Sequence, residues 1–191
     1  MIDELKRMIK VSDLLCSSHS ALHDSYIRKA LCLDTAILAI SVWLTAMVFV
    51  EPSLGSKLTP IYFSREIWLG FLSIGVFFLS IIQIRVDWKG LADAHDRARH
   101  FFGKIKMESR SLVSRDEVDI GPQEFKRLQE MYLAAGEINI SIPESKFNSL
   151  KRKHKIKVEI SKLLDLKPGI SIPFTYAKIW LRDNFNIKWN I

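Results

Sequence analysis

Residues 30–50 read ALCLDTAILAISVWLTAMVFV, and residues 67–84 read IWLGFLSIGVFFLSIIQI. The first segment contains one charged residue, Asp34, and the second contains none. A helix rises about 1.5 Å per residue, so each segment is long enough to cross a hydrocarbon core of roughly 30 Å. Two buried helices of a soluble protein are the alternative, but a chain of 191 residues has little other material to cover both. We therefore predict an all-α membrane protein built on a hairpin of two transmembrane helices.

Basic residues near the two apolar segments predict their orientation. Lys and Arg are frequent before residue 30 and after residue 84, whereas residues 51–66 contain only Lys57 and Arg65. Segments rich in positive charge remain on the cytoplasmic side of a membrane. We therefore expect multi-pass insertion with both termini cytoplasmic and a short external loop at 51–66. Cys16 and Cys32 would then be free thiols in a reducing compartment.

The sequences flanking the two apolar segments carry a heptad-like pattern. Apolar and small residues alternate at spacings of three and four, both before residue 30 and after residue 87. We predict that each apolar segment continues as a long cytoplasmic helix, over residues 1–29 and 85–113. These helices would pack against each other or against copies in neighbouring subunits. The candidate assembly seam comprises Leu15, His19, Leu22, Leu91, His95 and Phe102.

The histidines of this seam have two interpretations. Polar seam residues commonly set the register or the oligomer number of packed helices. His19 and His23 lie four residues apart, as metal-binding pairs on a helix do, and His95 and His100 would lie at similar heights. No cysteine or carboxylate pattern accompanies them, so we favour the register-setting role and predict no metal site.

The C-terminal region, residues 122–191, is predicted to be cytoplasmic and helical. Pro122 suits the first turn of a helix, and residues 138–143 (INISIP) interrupt the pattern. We favour a second helix over residues 144–165, although the alternation of Ile156, Val158 and Ile160 would also suit a short strand.

Two further features of this region concern its contacts. The tail after Pro168 is rich in aromatic residues, so we expect it to pack on the cytoplasmic helices or to lie at the membrane interface. A cluster of basic residues precedes it and is a candidate contact for an anionic ligand or for lipid: Lys151, Arg152, Lys153 and Lys155.

Motifs for catalysis are absent from the sequence. It contains no P-loop, no dinucleotide-binding glycine pattern, no nucleophile elbow and no zinc-peptidase histidine pair. We therefore predict no catalytic residue, no cofactor and no enzymatic activity. Aromatic residues are not interleaved with the basic cluster, which argues against sequence-specific binding of nucleic acid.

The charged residue inside the first apolar segment is a candidate for gating or for lining a pore. A lone carboxylate at membrane depth is unfavourable by a few kcal/mol, so it should pair, face water or be protonated. We expect Asp34 to pair with Arg85 or Lys89, which follow the second segment at the same membrane face. The alternative is that Asp34 simply extends to the membrane surface.

Three parts of the chain resemble the SLATT domain, a family of bacterial two-transmembrane effectors associated with nucleotide-dependent conflict systems. Residues 19–49 resemble its first span with a His- and Arg-bearing arm. Residues 87–112, with the pairs Ala94-His95 and Arg97-Ala98, resemble the helix after its second span. Residues 125–165, which contain Tyr132 and Glu137-Ile138-Asn139, resemble its distal cytoplasmic part. The resemblance covers roughly residues 5–165.

The resemblance implies a pore-forming or membrane-disrupting effector of a bacterial antiphage defence system. Such an effector oligomerises in the inner membrane and causes growth arrest or death of infected cells. The implied partners are further copies of the chain, the lipid bilayer, and a cytoplasmic sensor or nucleotide-signalling protein. A non-conducting membrane anchor or scaffold that holds a cytoplasmic partner is the alternative function, and an unrecognised membrane enzyme is a third. The resemblance supplies no catalytic or ligand-binding residues.

Overall fold

The computed structural model describes residues 1–50, 59–60, 64–114, 121–136 and 140–185. These residues form helices and no strand, so the all-helical prediction is confirmed. The helices are α1 (Ile2–Phe49), α2 (Arg65–Val86), α3 (Trp88–Val113), α4 (Pro122–Gly136), α5 (Glu144–Leu166) and α6 (Ile172–Phe185). Most of the predicted external loop, the Glu137-Ile138-Asn139 motif and the end of the aromatic tail (186–191) lie outside the described residues.

Helix α1 joins the predicted cytoplasmic helix and the first apolar segment without interruption. Its 48 residues contain no proline or glycine, so neither a missing N–H group nor a flexible residue interrupts its hydrogen-bond ladder. Asp3 and Glu4 occupy the first turn, where negative charge is favourable against the positive end of the helix dipole.

Asp87 interrupts the helix that we predicted to continue from the second apolar segment. Its backbone is left-handed, with φ 43° and ψ 54°, and its N–H donates to the Gln83 carbonyl at 3.3 Å. Its side-chain Oδ1 accepts a hydrogen bond from Gly90 N–H at 3.0 Å. Asp87 therefore ends α2 and caps the N-terminus of α3, two roles for which Asp is among the few suitable residues other than glycine.

The chain divides into two compact units. The bundle unit contains Met1–Ala21 and Arg97–Ile191, and the apolar unit contains Leu22–Asp96. The core of the bundle unit joins α1, α3 and α4 through Leu5, Met8, Phe102, Ile105, Leu112, Leu128 and Ala135. A smaller cluster packs α6 on α5 through Ile156, Ile160 and Ile179. The helix predicted over residues 144–165 is thus confirmed as α5, and the strand alternative is wrong.

In the apolar unit, many large apolar side chains are exposed, although Leu22 and Met47 of α1 are buried. Helix α2 has no buried residue, and Phe71, Ile74 and Phe77 each expose more than half of their surface. Leu38 and Val42 of α1 are similarly exposed. In water, exposed apolar area is unfavourable by about 25 cal/mol per Å². Among the residues that the structure describes, two helices are long and apolar enough to span a membrane, one within Ile2–Phe49 and one within Arg65–Val113.

Candidate functional site

The only acidic side chain within the apolar stretch of α1 contacts polar groups from α2 and α3. Asp34 Oδ1 accepts a hydrogen bond from Gln83 Nε2 at 2.6 Å, and Asp34 Oδ2 lies 2.7 Å from Lys89 Nζ. The Asp34 side chain is 30% exposed and that of Lys89 is 61% exposed. The three side chains line a cavity of about 270 Å³ together with Ala30, Leu33, Ile84, Asp87 and Trp88.

Local structure explains how these three residues meet. Gln83 lies in the last turn of α2, and Lys89 lies in the first turn of α3, on the other side of the Asp87 junction. The ammonium group of Lys29 lies 6.0 Å from the centre of the Trp88 ring and 5.7 Å from that of Tyr26. Cation–π contacts of this kind hold Trp88, and with it the start of α3, against α1.

The arrangement satisfies the Asp34 carboxylate within one chain. Hydrogen bonds to a carboxylate are stronger than those between neutral groups, and here both oxygens receive one. Of the two cations that the sequence suggested, Lys89 contacts Asp34, whereas Arg85 is an exposed residue of α2. Gln83 was not predicted as a partner, although it is the only amide side chain in the second apolar segment.

The candidate seam residues make contacts inside the chain. His19 stacks on Phe102 with ring centres 5.6 Å apart, and Tyr26 stacks on His95 at 5.5 Å. Leu22 is buried, and Leu15 packs at the edge of the bundle-unit core. Leu91 is 37% exposed and its neighbour Ala92 is buried instead. Most of the predicted seam is therefore occupied by intramolecular packing.

The histidines do not form a metal centre in the part of the chain that the structure describes. No group of three or more His, Cys, Asp or Glu side chains there is arranged to hold a metal ion. His23 lies instead beside Asp24, with Nδ1 3.1 Å from Oδ1. His19 and His95 are buried against aromatic rings.

A Ser-His-Asp arrangement in the bundle unit was not predicted from the sequence. Ser17 Oγ lies 2.7 Å from His154 Nδ1, and His154 Nε2 lies 3.9 Å from Asp13 Oδ2. Asp13 also pairs with Lys106, whose Nζ is 2.6 Å from Oδ1. The four side chains come from α1, α3 and α5: Lys106 follows Asp13 by 93 residues, and His154 follows Ser17 by 137 residues. No local sequence pattern predicts such long-range contacts.

The geometry of this arrangement suits a structural network rather than nucleophilic catalysis. Ser17 Oγ lies within hydrogen-bond distance of the Leu14 carbonyl, at 3.0 Å, as well as of His154 Nδ1, so its single proton is shared between a backbone acceptor and the imidazole instead of being directed at the imidazole alone. Ser17 also lies within α1, where the neighbouring N–H groups are used by the helix and cannot stabilise an oxyanion. The network therefore ties three helices of the bundle unit together.

The candidate basic residues lie on the exposed surface of α5. Lys151, Arg152, Lys153 and Lys155 are all exposed. Three of them line a groove of about 350 Å³, formed by Asn148, Lys151, Arg152, Lys155, Ile156, Glu159 and Asp183. Arg182 of α6 donates to both Glu159 and Asp183, and these carboxylates raise the pKa of Arg182 above its usual value. These contacts hold the end of α6 beside the basic surface.

The two cysteines have different surroundings. Both are free thiols. Cys16 is half-buried beside the bundle-unit core, and this burial raises the pKa of its thiol because the thiolate is poorly solvated there. Cys32 is exposed on α1 within the apolar unit.

In comparisons with known proteins, no protein-family model, no curated protein and no solved structure matches this chain.

Proposed function

We propose that the chain is a two-span membrane effector that oligomerises in a bacterial inner membrane and permeabilises it, with both termini cytoplasmic. The observation that carries the proposal is the exposed apolar surface of α2, which has no buried residue along its 22 residues. The apolar side chains of such a helix are stable in contact with lipid or with neighbouring copies, and unfavourable in contact with water. The effector role, in antiphage defence with a cytoplasmic sensor as partner, follows from the SLATT resemblance of the sequence.

In this proposal, the Asp34 contact holds the spans in a closed arrangement. It joins α1, α2 and α3 through Gln83 and Lys89, so separating these helices exposes a carboxylate at membrane depth. Because Lys89 is largely exposed, the ion pair itself contributes less than about 1 kcal/mol. The hydrogen bond from Gln83 to a charged acceptor contributes about 1.5–3 kcal/mol. Losing both favours opening by roughly tenfold to a few hundredfold.

Assembly in this proposal uses the outward faces of the spans. His19, His95 and Phe102 are occupied inside the chain and are unavailable to neighbouring copies. Gly70 and Gly75 of α2 lie in open space, because apart from their chain neighbours and the local helix backbone no atom lies within 4 Å of the position that a Cβ would take. Small residues at such positions allow membrane helices to approach closely.

Release of a trapped dye from vesicles tests the permeabilising role. The purified chain is reconstituted into vesicles that enclose a self-quenching dye, and insertion is verified by resistance to alkaline extraction. We expect dye release that rises more steeply than linearly with protein density, because several copies form one opening. An inserted protein that releases no dye at any density, alone or with its genomic neighbours, contradicts the proposal and leaves the anchor role.

Three variants test the Asp34 contact. Asp34→Ala removes both contacts and should raise the rate of release most, by about tenfold or more. Lys89→Ala removes only the exposed ion pair and should raise the rate by less than about fivefold. Arg85→Ala is the matched control, because Arg85 is a nearby cation that does not contact Asp34. Equal rates for Asp34→Ala and Arg85→Ala contradict a closing role for this contact.

A further inference from the structure

We propose that α6 and the basic surface of α5 bind the surface of an anionic lipid bilayer. This contact goes beyond the proposed function, which assigns lipid only to α1 and α2. It involves one compact unit of the chain and requires only a membrane that carries negative charge.

Exposed apolar side chains of the bundle unit are concentrated at its C-terminal end. Before residue 166, the described residues of this unit expose three large apolar side chains, Met1, Met107 and Leu133. All others lie from residue 166 onward, namely Leu166, Ile172, Phe174, Tyr176, Trp180, Leu181 and Phe185. A cluster of this size in so short a segment is typical of a surface that binds a membrane or a protein.

Helix α6 exposes apolar side chains because only one side of it packs on α5. Thr175 and Ile179 are buried, and Ile179 packs on Ile156 and Ile160. Positions 174, 181 and 185 follow one another by seven and four residues, so Phe174, Leu181 and Phe185 share a helix face that differs from the face of the buried Thr175 and Ile179. Helix α6 is therefore held in place by α5 while most of its large apolar side chains stay exposed.

The types of residue on this surface favour the membrane interface as the occupant. Trp180 and Tyr176 have apolar rings with polar tips, and such side chains concentrate where hydrocarbon meets headgroups. A cavity of about 230 Å³ opens beside Phe174, with apolar walls that include Leu163 and Ile170. Lys167 and Lys178 also line it. An apolar cavity with lysines beside it suits an acyl chain whose headgroup is an anionic phosphate.

Charge complementarity selects an anionic lipid surface over a second copy of the chain. Helix α5 carries seven basic and three acidic side chains, a net charge of +4 with His154 neutral. Lys151, Arg152, Lys153 and Lys155 are exposed there, and the Arg182 contacts hold α6 beside them. A second copy would oppose like charges across the interface, whereas anionic headgroups attract each basic side chain by about fivefold in association.

A fluorescent label on α6 of the full-length chain tests the contact. Ala177 of α6 and Ala134 of α4 are both exposed alanines, so cysteine at either position leaves the apolar side chains intact. Each is introduced into a chain whose Cys16 and Cys32 are serine, and is labelled with a membrane-impermeant, environment-sensitive fluorophore. The labelled chains are reconstituted into phosphatidylcholine vesicles with and without phosphatidylglycerol. Quenching by aqueous iodide and by nitroxide-labelled lipids is then measured.

We expect the label at position 177, and not that at 134, to be shielded from iodide and quenched by nitroxide lipids when phosphatidylglycerol is present. Lys151→Glu with Arg152→Glu should weaken this contact by at least about 25-fold and restore iodide quenching. Lys126→Glu with Arg127→Glu is the matched control, because it reverses an exposed Lys-Arg pair on α4, and should leave the contact unchanged.

Three results overturn the proposal. The first is equal iodide quenching at positions 177 and 134. The second is shielding at 177 without quenching by nitroxide lipids, which means that protein covers the surface. The third is equal lipid quenching with and without phosphatidylglycerol, which means that the basic side chains contribute nothing. Alkaline extraction of the same vesicles reports insertion of α1 and α2 separately, so a failure of the proposed function remains distinguishable.

Discussion

Substitutions of Asp87 should separate its two roles at the α2–α3 junction. Asp87→Ala removes the acceptor of the Gly90 N–H, which destabilises a helix N-terminus by about 1 kcal/mol. It also leaves a residue with a Cβ and no local hydrogen bond at φ 43°, which is unfavourable by about another 1 kcal/mol. The variant should therefore favour local opening of the junction by about 2 kcal/mol, a factor of about 30.

Two further substitutions at this position should destabilise the junction much less than Asp87→Ala. Asp87→Asn keeps a side-chain acceptor and tolerates the left-handed backbone, so it should stay within a few tenths of a kcal/mol of the original chain. Asp87→Gly loses the side-chain acceptor but has no Cβ, so the two effects largely cancel.

Hydrogen exchange measures the opening of this junction directly. Amide exchange in a peptide that includes Gly90 and Leu91 should be about 30-fold faster in Asp87→Ala and within about threefold of the original in the other two variants. Exchange in peptides from α5 should be unchanged and serves as the internal control. Equal exchange in Asp87→Ala and Asp87→Gly refutes the left-handed conformation, and fast exchange in Asp87→Asn refutes capping by the side chain.

Three further predictions concern the bundle unit and the orientation of the chain. Phe102→Ala should lower the free energy of unfolding of the solubilised protein by about 3–5 kcal/mol, because Phe102 lies in the core of the bundle unit. Leu133→Ala is the surface control and should lower it by less than about 0.5 kcal/mol. Similar denaturation midpoints for the two variants would refute the bundle-unit core. Because burial raises the pKa of the Cys16 thiol, less thiolate is present at neutral pH, and maleimide should modify Cys16 more slowly in the folded than in the denatured chain; equal rates would contradict its burial. A reporter that is active only in the cytoplasm should be active when fused to the C-terminus, because basic residues flank both apolar segments on that side, and activity of a periplasmic reporter there would reverse the orientation.

The long helices of the fold could be predicted from the sequence. The helical nature of residues 1–50 follows from the absence of proline and glycine together with apolar content, and that of 144–165 from its many helix-forming lysines and leucines. The break at Asp87 was not predicted, because a single aspartate without an adjacent proline is a weak stop signal. The buried position just after that break is Ala92, whereas the heptad pattern favoured Leu91.

The contacts of the candidate sites were less predictable than the helices. A carboxylate in an apolar segment needs a partner, so the pairing of Asp34 with Lys89 or Arg85 could be inferred from its charge and from the apolar residues around it in the sequence. The choice between these cations depends on the left-handed turn at Asp87, which directs the first turn of α3. The network of Ser17, His154 and Lys106 joins residues that no periodicity relates, so only the tertiary fold brings them together.

The sequence separation between Asp34 and its partners also has a consequence for membrane insertion during synthesis. Gln83 follows Asp34 by 49 residues, and at about 5–20 residues per second it leaves the ribosome about 2–10 s later. If the first apolar segment inserts as it emerges, its carboxylate stays in the bilayer without these partners for that time, at a cost below the roughly 2.5–3.5 kcal/mol of a charge at the centre of a span. The first segment should then remain beside the insertion machinery until the second arrives, and the two should enter lipid together. A nascent chain that stops before residue 83 should be extracted from membranes more easily than the full chain, and Asp34→Leu should remove that difference.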